Sequence, residues 1–433
     1  MRYAEAGYNL EVDLSTGKIE KRETDPGLTE LHLGGLGTNA KIIWDRIPAE
    51  ADPFSPDNVL VVAAGLLDGT PAIGANRTIM STISPQTRLM AFSMMGGFFG
   101  PELKYAGYDK IVIRGKSPHL VYLWINNDKI EIRDARHLHG KGALETIELI
   151  RKELNEPKAQ VVAIGLAGEN RVYFASVETS RGSCSRGGIG AVMGDKGLKA
   201  IAVRGTKDLS IYRPAEFIDF CREVGEFIEH RMKNPIKGVD RLQPINAYLG
   251  APQEVRLVDD AWHTDGFAWG NARVRRKNYW NSEIEQKWKE VMGKAVKRLI
   301  ACYNCPVGCA GYVSYPGYGN YFLKCFSRLT YLMAAMVDDP NFSFRILAYT
   351  NEYGVDSYTT AQVLAFAVEL YEAGILSAAD LPGFPSGAEE RFFWLLDKIV
   401  RREGIGDVLA NGVYWAARQI GKGAEAYDHN TIK

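Results

Sequence analysis

Cys302-Tyr303-Asn304-Cys305-Pro306-Val307-Gly308-Cys309 is the stretch from which the rest of the chain is read. It holds three of the six cysteines of a 433-residue chain, and Cys325 follows sixteen residues on. Thiolates spaced C-x2-C-x3-C, on a segment bent by Pro306 and Gly308, can converge on one soft metal centre. An iron–sulfur cluster is the first expectation, and it makes the chain an electron-transfer protein. Zinc competes, but no second C-x2-C and no His pair follows at finger spacing. Cysteines that merely pack rarely cluster this tightly.

The motif falls between two stretches of different character. Upstream, residues 1–205 read as strands and tight turns. Leu10 to Leu14, Ser15-Thr16-Gly17 and Lys18 to Arg22 make a hairpin pattern. Val59 to Ala64 is a short apolar run typical of a buried strand, and Lys110 to Arg114, Leu120 to Asn126 and Lys129 to Arg133 add three more. One helix, about Gly142 to Leu154, interrupts them. Beyond Gly205 the pattern becomes helical. Pro214 opens a helix whose Phe217, Phe220, Cys221, Val224, Phe227 and Ile228 share a face, which makes Cys221 a core residue. A helix is expected over Glu283 to Leu299, delivering the chain to the cysteines, and others over Phe322 to Val337, Phe342 to Tyr353, Thr359 to Ala373, Glu389 to Arg402 and Gly406 to Gln419. The fold class is α+β and multidomain: a β-rich N-terminal domain over residues 1–208, then an α-helical domain over residues 209–433.

Composition narrows the function. Lys plus Arg and Asp plus Glu both number 52, so the net charge is zero and no nucleic-acid footprint appears. Apolar residues make up 46% and charged residues 24%, as in ordinary globular chains. No uncharged apolar run reaches about 18 residues, so no transmembrane segment is expected. The N-terminus shows no secretory apolar region. A cytoplasmic location follows, where reduced thiols suit a cluster better than disulfides. Residues 233 to 280 are irregular, charged and aromatic, as in a binding loop or lid.

The turns of the β-rich part are glycine-rich: Gly34-Gly35-Leu36-Gly37, Gly96-Gly97, Gly165 with Gly168, and Arg186-Gly187-Gly188-Ile189-Gly190. None fits a dinucleotide fingerprint or a P-loop. Turn geometry explains any one of them. Four in one domain, two with an arginine near (Arg77 and Arg186), favour a bound anionic cofactor.

Taken in order along nearly the whole chain, these stretches resemble the aldehyde:ferredoxin oxidoreductase family of tungsten enzymes. The resemblance rests on Leu33 to Gly37, Ser84-Pro85-Gln86-Thr87, Gly96 to Asp109, Gly165 to Asn170, Gly187 to Gly194, Cys302 to Cys309, Glu352 to Asp356 and Arg402 to Asp407. Within the family, Ser93 to Gly97, Trp269 to Arg273 and Lys324-Cys325-Phe326 are similar to the catalytic subunits of ATP-independent, class II benzoyl-CoA reductases.

The resemblance implies an aldehyde ferredoxin oxidoreductase-like fold. A tungsten bis-pyranopterin is seated on the β-rich domain, Mg2+ links the pterin phosphates, and a [4Fe–4S] cluster passes electrons. Cys302, Cys305 and Cys309 match cluster ligands, and Arg77 matches the arginine between cluster and pterin, where a guanidinium can donate to both. Gly96 and Gly97 belong to the matching pterin-side turn. The turn Ser183 to Gly188, with Arg186 and Gly187, matches a loop near the pterin phosphates. Asp356 matches a pterin-binding aspartate, although Asn351 replaces the first acid of that motif. Met94 stands where aldehyde-oxidising members carry Asn. Cys325 stands about where they carry a Glu near the metal, so it is either a tungsten ligand or a packed helix cysteine. Of the other cysteines, Cys184 and Cys221 sit in segments that match non-ligand regions. Relative to the family the chain is expected to be incomplete at its C-terminus, where the fourth cluster cysteine and second pterin motif lie.

The reaction implied is two-electron reduction of benzoyl-CoA to a cyclohexadiene-carboxyl-CoA. His263 is the expected proton donor, to the ring or to a group on the metal, and Glu254 a relay. A packing role for His263 and a solvated turn for Glu254 are the alternatives. The implied partners are an iron–sulfur electron-transfer subunit and a larger reductase complex with flavin subunits, with a CoA thioester as substrate. The competing activity is oxidation of aldehydes to acids at the same cofactor. A cofactor-free assembly subunit is the third reading.

Overall fold

The computed structural model describes residues 2–234, 282–308, 310–323, 331, 334–335 and 337–428. Among these, strands β1 (Tyr8–Asp13), β2 (Lys18–Glu23), β3 (Leu60–Ala64), β4 (Thr78–Ile83), β5 (Met90–Met95) and β6 (Lys110–Arg114) form a six-stranded sheet in the order β2-β1-β6-β3-β4-β5. Strands β7 (Val121–Asn126), β8 (Lys129–Asp134), β9 (Gln160–Ala163), β10 (Val177–Glu178), β11 (Ser183–Cys184) and β12 (Leu198–Arg204) form a second, in the order β11-β10-β9-β12-β7-β8. Only the β1–β6 and β12–β7 pairs are parallel.

The side-chain pattern stacks these sheets. Leu10, Leu60, Val62, Ile111 and Ile113 of the first share a core with Leu123, Ile125, Val162, Ile201 and Val203 of the second. Helices α1 (Pro26–His32), α2 (Leu36–Arg46), α3 (Phe99–Ala106), α4 (Ala143–Glu153), α5 (Leu166–Glu169) and α6 (Ile189–Asp195) lie between strands in sequence. Val61 and Val112 turn to the outer face of the first sheet and meet Ile42 and Ile43 of α2. Tyr122, Trp124 and Val161 turn to the outer face of the second and meet Ile147 and Ile150 of α4. Phe99 and Leu103 of α3 and Ile189 and Met193 of α6 enter the core that the two sheets share, while α2 and α4 cover the outer faces. A run buried on both faces, such as β3, has to be apolar throughout.

The sequence pattern shows only α4 of these helices. Helices α1, α3, α5 and α6 have eight residues or fewer, so few turns carry a period, while α2 is as long as α4 but begins inside the Gly34-Gly35-Leu36-Gly37 stretch that reads as a turn. Of the matched stretch Gly96 to Asp109, α3 is the central part. The stretch ends in a buried ion pair, Lys104 Nζ to Asp109 at 2.6 Å. Asp109 also accepts the N–H groups of Ala6 and Gly7 and the hydroxyl of Thr24, which ties the N-terminal segment down.

The second part is helical, with one small sheet. Helix α7 (Pro214–Lys233) buries Cys221, as its spacing requires, but Phe220 and Phe227 on the same helix are exposed. Helix α8 (Ser282–Ala295) ends four residues before the expected Leu299, and Val296–Ile300 is strand β13. Strands β14 (Ala310–Tyr315) and β15 (Gly319–Leu323) complete an antiparallel sheet. The helix expected from Phe322 is therefore a strand at its start; β-branched and aromatic residues at Val296, Ile300, Val313, Tyr321 and Phe322 favour the pleated form. Helices α9 (Pro340–Tyr353) and α10 (Ser357–Glu372) follow, then Ala388–Arg401, Ile405–Leu409 and Val413–Ile420. Their core takes in Val172, Phe174 and Ala175 from the β-rich part, so the two parts share apolar surface. Among the described residues no helix is long and apolar enough to cross a membrane.

Several matched motifs hold the parts together. Glu352 Oε2 accepts the N–H groups of Leu144 and Glu145 and so caps α4 from the other part, helped by Gly142, where a Cβ would sit 2.0 Å from that oxygen. Burial raises the Glu352 pKa. Arg402 donates to the carbonyls of Asn170 and Arg171, while Asn170 donates to the Val400 carbonyl.

Candidate functional site

The backbone of the cysteine motif is clamped by the first sheet's loops. The Asn76 amide donates to the Tyr303 carbonyl at 2.8 Å, and Tyr303 N–H donates to the Gly97 carbonyl at 3.1 Å. Gly74 N–H donates to the Asn304 carbonyl at 2.9 Å, and Asn304 donates back to the Ala72 carbonyl at 3.2 Å. The Tyr303 and Tyr105 hydroxyls meet at 2.7 Å beside the Gly69 carbonyl. Within the motif, Cys305 N–H donates to the Cys302 carbonyl at 3.2 Å, and Asn304 and Gly308 take positive φ. The segment is a tight turn carrying Cys302 and Cys305.

Gly96 is what lets this turn seat. A Cβ there would lie 2.7 Å from Cys302 Sγ, 3.3 Å from Asn76 Oδ1 and 3.5 Å from Arg77 Nη1. Arg77, Gly96, Gly97, Cys302 and Cys305 are thus brought together. Met94 lies on the exposed side of β5, paired with Ile79, two residues ahead of Gly96. Cys309, Cys325, Glu254 and His263 lie outside the described residues.

Two further residues at this corner lie outside the motifs that stand out in the sequence. Arg181 donates to the Ala301 carbonyl at 3.0 Å and lies 4.6 Å from the centre of the Phe98 ring. Burial lowers its pKa, and the neighbouring Cys302 sulfur opposes that. Its Arg-Gly pairing with Gly182 repeats the Arg186-Gly187 signal and could have marked it. Behind the corner, Asp68 is buried, and its Oδ1 accepts Arg77 N–H at 3.1 Å. Its Oδ2 has no hydrogen-bond partner among the described residues and sits where a Cβ on Gly100 would approach to 2.2 Å. Burial pushes its pKa up to about 7, against the pull of backbone N–H groups and of Lys104 and Arg77.

The second cluster is reached along the same loop. Gly182 packs on the Gly96 carbonyl, and Arg186 Nη1 lies 3.4 Å from Asp356 Oδ2. Arg186 N–H donates to Ser93 Oγ at 3.2 Å, and its guanidinium lies 5.2 Å from the Tyr358 ring centre. Gly187 admits Ala91 to within 2.7 Å of a Cβ position, and the hydroxyls of Ser183 and Ser185 meet. Asp356 caps α10 by accepting Thr359 N–H and Oγ1–H at 3.0 and 2.6 Å, and its own N–H donates to the Phe174 carbonyl. Ser183, Arg186, Gly187 and Asp356 are therefore brought together. Asn351 donates to the Phe322 carbonyl and fastens β15. Cys184 is buried in the sheet core, with its thiol 3.5 Å from the Ser93 carbonyl.

The donor chemistry suits two groups. Two cysteine sulfurs on one turn, beside two guanidinium groups, fit a negatively charged iron–sulfur centre. An exposed guanidinium, a carboxylate and hydroxyls around a glycine turn fit a polar heterocycle bearing phosphates.

Residues 9–205 match the N-terminal domain of the aldehyde ferredoxin oxidoreductases, and residues 249–433 match their domains 2 and 3. The chain belongs to the aldehyde ferredoxin oxidoreductase family. It is 35% identical over 424 residues to the tungsten-containing aldehyde ferredoxin oxidoreductase of Pyrococcus horikoshii, covering 96% of this chain and 67% of that one. It is 32% identical to the WOR-like subunit of an aliphatic sulfonate oxidoreductase of Pyrococcus furiosus, covering 96% and 68%. Among solved structures it matches the active-site complex BamBC of benzoyl coenzyme A reductase in complex with 1,5-dienoyl-CoA. That match has a TM-score of 0.93 and 63% identity, and covers 100% of this chain and 66% of that one. The chain thus spans about two thirds of the length of these family relatives. The α+β architecture and membership of an oxidoreductase family are as the resemblance implies.

Proposed function

We propose that the chain is the catalytic subunit of an ATP-independent benzoyl-CoA reductase, adding two electrons and two protons to the aromatic ring of benzoyl-CoA to give a cyclohexadiene-carboxyl-CoA. The observation that carries this is the 63% identity, over the whole chain, to a benzoyl coenzyme A reductase structure bound to a dienoyl-CoA. The tungsten-containing relatives support a tungsten pterin, and the paired sulfurs of Cys302 and Cys305 on one turn support a [4Fe–4S] cluster; together these would supply low-potential electrons when bound. Partner subunits carrying iron–sulfur and flavin groups belong to the same reading.

In this reading Cys302, Cys305 and Cys309 hold the cluster, and Arg77 and Arg181 offset its negative charge. Ser183, Arg186, Gly187 and Asp356 hold the pterin and its Mg2+-linked phosphates, with Gly96 and Gly97 leaving room and Met94 presenting an apolar surface. Cys325 is a ligand to tungsten. The protein excludes water from the ring, because protons would otherwise take the electrons. His263 delivers a proton to the ring and Glu254 relays it. Replacing His263 with Ala is expected to lower the rate of dienoyl-CoA formation by about 10²–10⁴-fold. An unchanged rate removes the donor role.

The 35% identity to aldehyde ferredoxin oxidoreductases favours a second reading, aldehyde oxidation. Met94 and Cys325 count against it, since both depart from the aldehyde-oxidising pattern. Assaying both substrates on one preparation separates the two, and absence of both tungsten and iron from it would leave a cofactor-free assembly role.

A further inference from the structure

Asp68 is a buried acid that neither cluster uses. Its carboxylate is fitted between two glycines. A Cβ on Gly65 would lie 2.8 Å from Oδ1, and one on Gly100 would lie 2.2 Å from Oδ2 and 3.1 Å from Thr78 Oγ1. The backbone closes around it: Asp68 N–H donates to the Gly65 carbonyl at 3.0 Å, Gly65 N–H to the Arg77 carbonyl at 3.1 Å, and Arg77 N–H to Asp68 Oδ1 at 3.1 Å. Asp68 is thus tied to the residue whose guanidinium reaches the cysteine turn. The position of a Cβ on Gly96 lies 3.5 Å from Arg77 Nη1 and 2.7 Å from Cys302 Sγ, so nitrogen and sulfur flank one point.

The charges around Asp68 leave it unneutralised. The turn after β3 brings Gly65 and no charge. The start of β4 brings Arg77, whose backbone and not its guanidinium meets the carboxylate. Helix α3 brings Lys104, but its ammonium is engaged by Asp109 at 2.6 Å and by the Ala4 carbonyl at 2.8 Å. Asp68 Oδ2 has no hydrogen-bond partner among the described residues. An acid placed so is costly to ionise, and burial keeps its proton on up to about pH 7. A further negative charge on the cysteine turn would disfavour the ionised form again.

We infer that Asp68 takes up one proton when one electron enters an iron–sulfur cluster on the cysteine turn, and returns it when the electron leaves. This rests on the reading of Cys302 and Cys305 as cluster ligands. The electron comes from an iron–sulfur donor and the proton from solvent. The Asp68 carboxylate becomes a carboxylic acid, no other bond changes, and the net charge of the corner stays the same. Asp68 touches no cofactor. It is a positioning residue that acts through Arg77 and through its own charge.

The test is an anaerobic potentiometric titration of the holoprotein and of its Asp68→Asn variant, from about pH 5 to about pH 9. It is followed by the paramagnetic resonance signal that Cys302→Ser alters. In wild type at fixed potential, the ratio of reduced to oxidised cluster is expected to fall about three- to tenfold as pH rises through about 7. In Asp68→Asn it is expected to stay at the low-pH value of wild type throughout. A purely structural role would instead displace the variant equally at every pH. A flat wild-type profile overturns the inference, and so does a variant that keeps the wild-type slope. Infrared difference spectra of wild type, reduced minus oxidised at about pH 7.5, give a second reading that needs no folded variant. A carboxylic acid C=O band gained on reduction supports the inference, and its absence overturns it. A holoprotein without the cluster signal contradicts the cluster reading and the inference with it, whereas a signal with a flat profile removes the proton coupling alone.

Discussion

Gly96 decides how closely the Cys302 sulfur can approach Arg77, because a methyl group there would stand 2.7 Å from that sulfur. Forcing an extra carbon into such a contact costs about 1–3 kcal/mol, and here the strain falls on a ligand turn. The Gly96→Ala protein is expected to fold but to hold much less iron than wild type, measured by elemental analysis; a full iron complement contradicts the placement. Asp68 gives a pH-dependent consequence. Its carboxyl titrates near 4 in the unfolded chain and at about 7 in the fold. The folded chain then binds the extra proton between those values, so stability falls as pH rises from about 4 to about 7 and stays lower above. Asp68→Asn keeps an acceptor for Arg77 N–H and cannot ionise. Urea melts should show it more stable than wild type at pH 8 by on the order of 2–4 kcal/mol, and little different at pH 4. An equal difference at both values contradicts the buried-acid account. Cys302, Arg77 and Gly96 could be picked out because their motifs are contiguous. Asp68 could not, because the group it touches is the Arg77 amide, and a backbone partner leaves no residue type to recognise; Arg181 was marked only by its Arg-Gly pairing with Gly182.

The matched motifs also act as fasteners between secondary-structure elements. Arg402 stands at the end of the helix Ala388–Arg401 and spends its guanidinium on two carbonyls of the loop after α5. Charge-assisted hydrogen bonds of this kind contribute about 1.5–3 kcal/mol each, less where water reaches them. Arg402→Ala is expected to cost about 2–3 kcal/mol of stability in denaturant unfolding, with bound metal unchanged. A stability within about 0.5 kcal/mol of wild type, as for an ordinary surface substitution, contradicts the fastening role. Most strands of both large sheets were legible because their alternation and apolar runs are strong; the two-residue β10 and β11 were not, being too short to show a period. Strands β13 to β15 were not. The helical period of α8 runs on into Val296–Ile300, and the masking effect of Cys302 to Cys309 as a presumed loop hid the hairpin that follows it. Helices α1 and α3 offered too few turns, and α2 starts within a glycine-rich stretch that reads as a turn.

At the scale of the whole molecule, the β-rich and helical parts meet along two clusters, proposed to hold the cofactors, joined by the segment from Arg181 at the cysteine turn to Arg186 at Asp356. Sheets and their loops supply rigid backbone, and the helical part supplies the sulfur and carboxylate donors. That division was readable from composition and periodicity, and membership of the aldehyde ferredoxin oxidoreductase family accounts for it. In the proposed reading, the choice of reducing an aromatic thioester over oxidising an aldehyde rests on the roles proposed for Met94, Cys325 and His263 and on 63% identity to a dienoyl-CoA-bound relative. The most direct test is an anaerobic assay, on the chain purified with the subunits it assembles with, of dienoyl-CoA oxidation to benzoyl-CoA by an artificial acceptor, normalised to tungsten. Turnover that scales with tungsten content, with aldehydes left unoxidised, is the expected result. Aldehyde oxidation with dienoyl-CoA untouched would contradict the account.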